Sequence, residues 1–149
     1  MDHGALVTGS DVTMYGLAVE HALKDLVVWS GENGTSYFYQ SELPYDVDAA
    51  YGAAAFCAYR VAPHVSRHCA HGAGAYAFFR DFAVRTPAAM VAPSSARFYG
   101  ALTVFLGGQG SIESVLTGRG RAVGPNGRRL ARICDSASLL SRGGGVVES

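Results

Sequence analysis

Neither sign of charge is in excess in this chain: twelve Lys and Arg face twelve Asp and Glu, and charged residues are only 16% of 149. Nucleic acids and anionic membrane surfaces both select a basic patch, so no nucleic-acid partner and no membrane partner are expected. No apolar run approaches the roughly 18 residues that a membrane-spanning helix needs. The N-terminal residues from Met1 to Val7 have no basic stretch followed by an apolar one, so they do not read as a signal peptide. That leaves a cytosolic protein or a piece of a longer one. The early entry into a strand-like pattern favours the piece. Cysteine is scarce as well. Cys57, Cys69 and Cys134 form no CxxC pair and no ligand spacing, so no metal is expected. They read as small buried hydrophobes, with one disulfide and a leftover thiol as the alternative.

Apolar residues, at 49%, suffice for a core, and 19 glycines punctuate it. One domain, or part of one, is the expectation at this length. Short runs rich in aromatic and β-branched residues read as strands: 12–19, 26–29, 36–40, 53–59, 75–79, 98–106 and 112–116. Residues 16–25 match a helical pattern, although Gly16 weakens it. Apolar runs recurring irregularly suit a β-sandwich or a β-solenoid with rungs of roughly 20–25 residues. Several runs are almost continuously apolar, as strands buried on both faces are. Residues 130–134 read as a last strand, and 136–149 as a disordered tail.

The stretch from Trp29 to Asp46 is the densest in chemistry. It holds Glu32, Glu42 and Asp46, the amides Asn33 and Gln40, and the rings of Trp29, Tyr37, Phe38, Tyr39 and Tyr45. Aromatic faces, amides and carboxylates together suit a sugar, and a carboxylic acid can protonate a glycosidic oxygen. In a strand, Tyr37 and Tyr39 share one face and Phe38 takes the other. Phe38 is therefore assigned to the core, and the two tyrosines with Trp29 are candidate sugar platforms, with core packing as the competing role. Pro44 extends Leu43 and holds Glu42 on a stiff edge. Burial beside Tyr37, Tyr39 and Tyr45 is the expected device for keeping such an acid protonated. His21 reads as a structural histidine. His64, His68 and His71 superficially suggest a metal site, but a loop between rungs is the preferred assignment. Asn33 to Thr35 is an N-glycosylation sequon.

Residues 12–21, 23–29, 31–34, 37–46, 74–81 and 102–112 resemble the C-terminal region of glycoside hydrolase family 55, a group of exo-β-1,3-glucanase-like secreted proteins. The resemblance covers roughly four fifths of the chain. It implies an all-β fold, a right-handed parallel β-helix of the pectate-lyase type, here partial. On that resemblance, residues 1–135 are expected to be the last rungs of a longer protein. The family's unit is two such helices with the cleft between them, so the upstream helix is missing. Residue by residue, the resemblance makes Glu42 the general acid, Tyr45 a residue orienting the nucleophilic water, and Glu20 a second acid of the cleft. Gln40 and Glu32 are implied sugar contacts.

The implied activity is hydrolysis of β-1,3-glucan with inversion, without a cofactor, and the implied location is extracellular. Inversion needs roughly 6.5–9.5 Å between acid and base. The alternative is a non-catalytic carbohydrate-binding or structural module. An open end of a β-helix invites edge pairing, so self-association and marginal stability are expected.

Overall fold

The computed structural model describes residues 1–135; the expected tail, 136–149, lies outside the described residues. The chain coils through four rungs. Rung one is β1 (Ala5–Val7) and β2 (Thr13–Glu20), and rung two is β3 (Val27–Trp29) and β4 (Gly34–Glu42). After an excursion carrying α1 (Ala49–Ala53), rung three is β5 (Tyr59–Val61), β6 (His68–Phe79) and β7 (Arg85–Thr86). Rung four is β8 (Met90–Val91), β9 (Ala96–Gly108) and β10 (Ser111–Ile112), and β11 (Leu130–Asp135) follows. Stacking these rungs gives parallel sheets β1-β3-β5-β8 and β7-β10, and a larger sheet ordered β11-β9-β6-β4-β2. Only β11 runs antiparallel, against β9. The fold is all-β and parallel β-helix-like.

The stacked partners Thr13, Thr35, Cys69 and Arg97 lie 22, 34 and 28 residues apart. Only the first interval fits the expected rung length. Side chains staple neighbouring rungs at the same intervals. Asn33 Nδ2 donates to Asp11 Oδ1 (2.6 Å), Ser66 N and Oγ donate to Glu32 (2.9 and 2.8 Å), and Arg85 Nε donates to Glu113 Oε1 (3.2 Å).

The longest interval contains the one helix among the described residues, and the 53–59 run, which had read as a strand, supplies only the helix's last residue, a turn and the first residue of β5. Asp48 accepts from Ala50 N and caps α1 (2.8 Å), and alanine favours helix once a cap starts it. Gly52 lets α1 touch the next rung: a Cβ there would meet Arg85 O at 2.2 Å. Residues 16–25 depart from the helical pattern, since β2 runs to Glu20 and His21 (φ 57°) turns the chain. The 112–116 run is not one strand: Ile112 ends β10, and isolated bridges join Ile112 to Val123 and Leu116 to Met90 and Arg119.

The core fills the coil's interior. Trp29, Tyr39, Tyr59, Phe79, Phe98 and Phe105 are buried there, with Tyr59 packed edge-on against Tyr39 and Phe98 (5.0 and 5.6 Å between centroids). Inward columns such as Val19, Ser41, Ala75 and Thr103 are small, which leaves room for these rings.

Each long strand bends at one residue with left-handed backbone: Gly16, Phe38, Gly72 and Gly100, at φ between 59° and 71°. The bend breaks the alternation on which the facing of residues 37–39 was based. Tyr37 and Phe38 both point outward and Tyr39 points inward, so Phe38 is 69% exposed and leaves the core. Left-handed backbone costs a residue with a Cβ roughly 1–2 kcal/mol, and only this rung bears that cost at the bend.

The histidines separate, and two of them sit in a strand where a loop was expected. His64, before β6, lies with Nε2 3.0 Å from Ser30 O. His68 is buried on the inner face of β6, 2.8 Å from the Tyr59 hydroxyl. His71 faces outward, stacked between Tyr37 and Tyr99. Among the described residues, no three His, Cys, Asp or Glu side chains converge as metal ligands. The three cysteines are free thiols: Cys57 buried, Cys69 half-buried, Cys134 exposed.

Burial lowers the pKa of His68 from 6.5 to about 4, so the folded state prefers the neutral ring. The stability this contributes is present above pH 6.5 and is lost as the pH falls towards 4, about 3 kcal/mol in all. His68→Phe should therefore show a smaller drop in urea midpoint than wild type between pH 7 and pH 4.5. Equal drops in the two proteins would refute the assignment. Tyr59 keeps Ser36 Oγ as an acceptor at 3.0 Å in the variant.

Candidate active site

The C-terminal ends of β2, β4 and β6 gather one group of polar and aromatic side chains on the outside of the large sheet. Glu42, the last residue of β4, lies beside Glu20 on one side and Tyr76 on the other. Leu43 follows, buried, its N–H donating to Tyr76 O (2.9 Å). Pro44 then turns the chain so that the Tyr45 hydroxyl comes back to donate to Glu42 Oε2. The inward anchor at Leu43 and the turn at Pro44 thus hold Glu42 from behind. Glu42's side chain remains 24% exposed.

Tyr45 stays protonated. Its pKa is raised chiefly by the hydrogen bond to Glu42, then by burial and by the charges of Glu42 and Glu20. Its ring packs edge-on against Phe78 (5.2 Å) and tilted against His21 (4.3 Å). His21 Nε2 lies 3.8 Å from Glu42 Oε2, and its backbone N–H donates to Glu42 O (3.0 Å). Gln40 Nε2 donates to Glu20 Oε1 (3.4 Å). The acid therefore has a phenol, an imidazole, a second carboxylate and an amide around it.

Four of the eight residues singled out from sequence meet here: Glu20, Gln40, Glu42 and Tyr45. Tyr37 is on the same outer surface across the bend, stacked between Tyr15 (5.1 Å) and His71 (4.7 Å). Trp29 and Tyr39 are interior, so neither offers a face to a sugar; Tyr39 Oη instead donates to Ala58 O (2.7 Å). Glu32 is engaged by Ser66 at the start of the rung, away from Glu42, and those hydrogen bonds lower its pKa. His21, Tyr76 and Phe78 belong to the site without having been assigned to it. His21 directly follows Glu20, and that adjacency was the available signal; Tyr76 and Phe78 depend on the register of β6 against β4.

Two surface pockets, one by Ala92, Pro93 and Leu116 and one by Arg85, Gln109 and Glu113, have linings that exclude Glu42.

Residues 1–42 match the family described as the LAM55 pectate lyase-like domain. The chain is 38% identical over 123 residues to an exo-β-1,3-glucanase of Streptomyces sp. (strain SirexAA-E / ActE), covering 77% of this chain and 20% of that protein. The chain carries a glycoside hydrolase family 55-like β-helix. Two solved structures share its architecture. One is sacteLam55A from Streptomyces sp. SirexAA-E, 34% identical with a TM-score of 0.79. The other is a glutamate-to-alanine variant of sacteLam55A in complex with glucose, 33% identical with a TM-score of 0.82. Each match covers 90% of this chain and 26% of the solved one. This family 55-like chain thus spans about a fifth of the curated relative and about a quarter of the solved structures.

Proposed function

We propose that this chain supplies the acid side of a site that hydrolyses β-1,3-glucan with inversion. The observation that carries the reading is Glu42, held by Tyr45 at the end of β4 beside Glu20 and Gln40, in a chain 38% identical to an exo-β-1,3-glucanase. Glu42 gives its proton to the glycosidic oxygen as the bond to the anomeric carbon breaks. A water attacks that carbon from the opposite face and gives its proton to a carboxylate base on that side. Tyr45 holds the Glu42 carboxyl through its hydroxyl, Glu20 is a second acid of the cleft, and Gln40 and Tyr37 contact the sugar.

Glu20 and Glu42 are register neighbours on adjacent strands, whose backbones run about 4.8 Å apart. Inversion separates acid and base by roughly 6.5–9.5 Å with a water between them. The spacing favours a base on the far side of the substrate, from an upstream β-helix, with this chain forming the last rungs. The coil's crossovers join parallel strands, and such connections are right-handed almost without exception. The extracellular location of a polysaccharide hydrolase follows from the same reading.

The test is glucose release from β-1,3-gluco-oligosaccharides, by the chain alone and fused to the remainder of the Streptomyces glucanase. Release is expected only from the fusion, as α-glucose, and is lost in Glu42→Gln. Release by the chain alone would overturn the need for a second helix. No release from either would overturn the enzyme reading. Oligosaccharide binding without release would establish the carbohydrate-binding alternative.

The sheet's edge strand β2 is mostly exposed along its length. Such an edge pairs readily, and self-association there is part of the proposal. Sedimentation should show mass rising with concentration in wild type, and Leu17→Pro, which removes an N–H from β2, should reduce it. A wild type that stays monomeric across the range would refute this.

A further inference from the structure

We propose that Phe38 is a stacking platform for a sugar ring of the glucan chain, remote from the bond that is cleaved; the assignment rests on the glucan reading above. At the bend of the large sheet, three rungs place glycine and one places Phe38, all with left-handed backbone. Stability alone favours glycine at such a position. A phenylalanine there is strained and 69% exposed, and strain retained at a surface position points to a use.

The surroundings define the ligand. On either side of Phe38 in this column stand Gly16 and Gly72, which have no side chains to cover its ring. A Cβ at Gly16 would meet nothing within 4 Å, and one at Gly72 would reach only Phe38 Cα, at 4.0 Å. The result is an exposed ring flanked by two bare glycines. The neighbouring column is different. Tyr15, Tyr37, His71 and Tyr99 stack face to face at 4.7–5.1 Å, with interplanar angles of 9–16°. Their faces are largely used by one another, so they offer edges, with the phenol hydroxyls as hydrogen-bonding groups. An exposed ring beside a row of hydroxyls, with Tyr15 also exposed at the end of that row, suits a polyol with an apolar C–H face.

Neither column carries an acidic side chain, a lysine or an arginine, which matches an uncharged ligand. Phe38 also lies on the strand that ends in Glu42, four residues away, or about 13 Å at strand spacing. A glucan chain whose scissile bond is at Glu42 therefore reaches Phe38 with a more distant unit. Binding such a unit raises affinity without touching the reacting atoms.

Four proteins test this: wild type, Phe38→Gly, Phe38→Asn and Phe38→Trp. The probes are β-1,3-linked glucohexaose and glucobiose, titrated calorimetrically, with thermal unfolding measured in parallel. Phe38→Gly should bind the hexaose about tenfold more weakly while unfolding about 2–4 °C higher. Phe38→Asn, a better left-handed residue without a ring, should lose binding in the same way, and Phe38→Trp should keep it. Glucobiose should distinguish the four little.

Equal hexaose affinity across the set overturns the platform, and with Glu42-dependent release intact in the fusion it overturns the platform alone. Hexaose binding that depends on Phe38, without release by the fusion, sinks the hydrolase reading and leaves the platform standing. Absence of hexaose binding in wild type overturns it, as does a Phe38→Gly protein that loses only self-association, which would make Phe38 a protein contact.

Discussion

Glu42→Gln is expected to lower the rate of glucose release by the fused protein about 10²–10⁴-fold, the usual contribution of a positioned general acid. Gln keeps the shape and can still accept from the Tyr45 hydroxyl, so the fold and oligosaccharide binding should change little. What disappears is the proton for the departing oxygen. The loss should therefore depend on the leaving group. An aryl β-glucoside whose phenol departs without protonation should be cleaved nearly as fast by the variant as by wild type. A uniform loss on both substrates would show that Glu42 does something other than protonate. Tyr45→Phe removes only the hydroxyl that orients Glu42 and should lie well above Glu42→Gln in activity. Stopped assays read by anomer-resolved NMR measure rate and stereochemistry together.

The second large effect is on stability. Asp25→Ala is expected to destabilise the chain by about 3 kcal/mol, towards the lower end for breaking a buried pair, because Arg60 is partly exposed. Asp25 is buried and accepts from four donors: Arg60 Nε (2.7 Å) and Nη2 (2.9 Å), Cys57 N (2.9 Å) and Cys57 Sγ (3.2 Å). Arg60 also reaches Ala55 O (2.7 Å). These bonds tie the excursion around α1 back to the coil. Alanine strands a guanidinium and a buried N–H together, whereas Asp25→Asn keeps an acceptor for Cys57 N and should cost less.

Burial and the Asp25 charge raise the Cys57 thiol pKa, so in wild type an alkylating reagent should label exposed Cys134 long before Cys57. Urea unfolding and the order of alkylation check the pair of statements. A loss below 1 kcal/mol, with Cys57 still protected, would mean that Asp25 is not the tie.

The sequence carried the all-β class through its short apolar runs, while Glu42 and Tyr45 were singled out through a family resemblance. Local rules suffice there: a buried Leu43 and a Pro44 turn bring residue 45 back to residue 42 whatever else surrounds them. Strand alternation is also local, and it failed at Tyr37, Phe38 and Tyr39 because one left-handed residue resets which side faces inward. Nothing in an isolated strand announces that reset. The column of Gly16, Gly72 and Gly100 becomes visible only once the rungs are stacked. Trp29 was misassigned for a similar reason, since a ring suited to a sugar is equally suited to a core, and only the closing of the coil chooses.

What the sequence by itself determined is therefore the all-β, short-strand character of the chain and the placing of Glu42 three residues before Tyr45 across Pro44, because both rest on features within a few residues. Only the tertiary structure decided that Glu20, His21 and Tyr76 stand beside that unit, that Glu32 does not, and that Phe38 faces outward. Those placements depend on register between strands 22 and 34 residues apart, which is set by the packing of the whole interior.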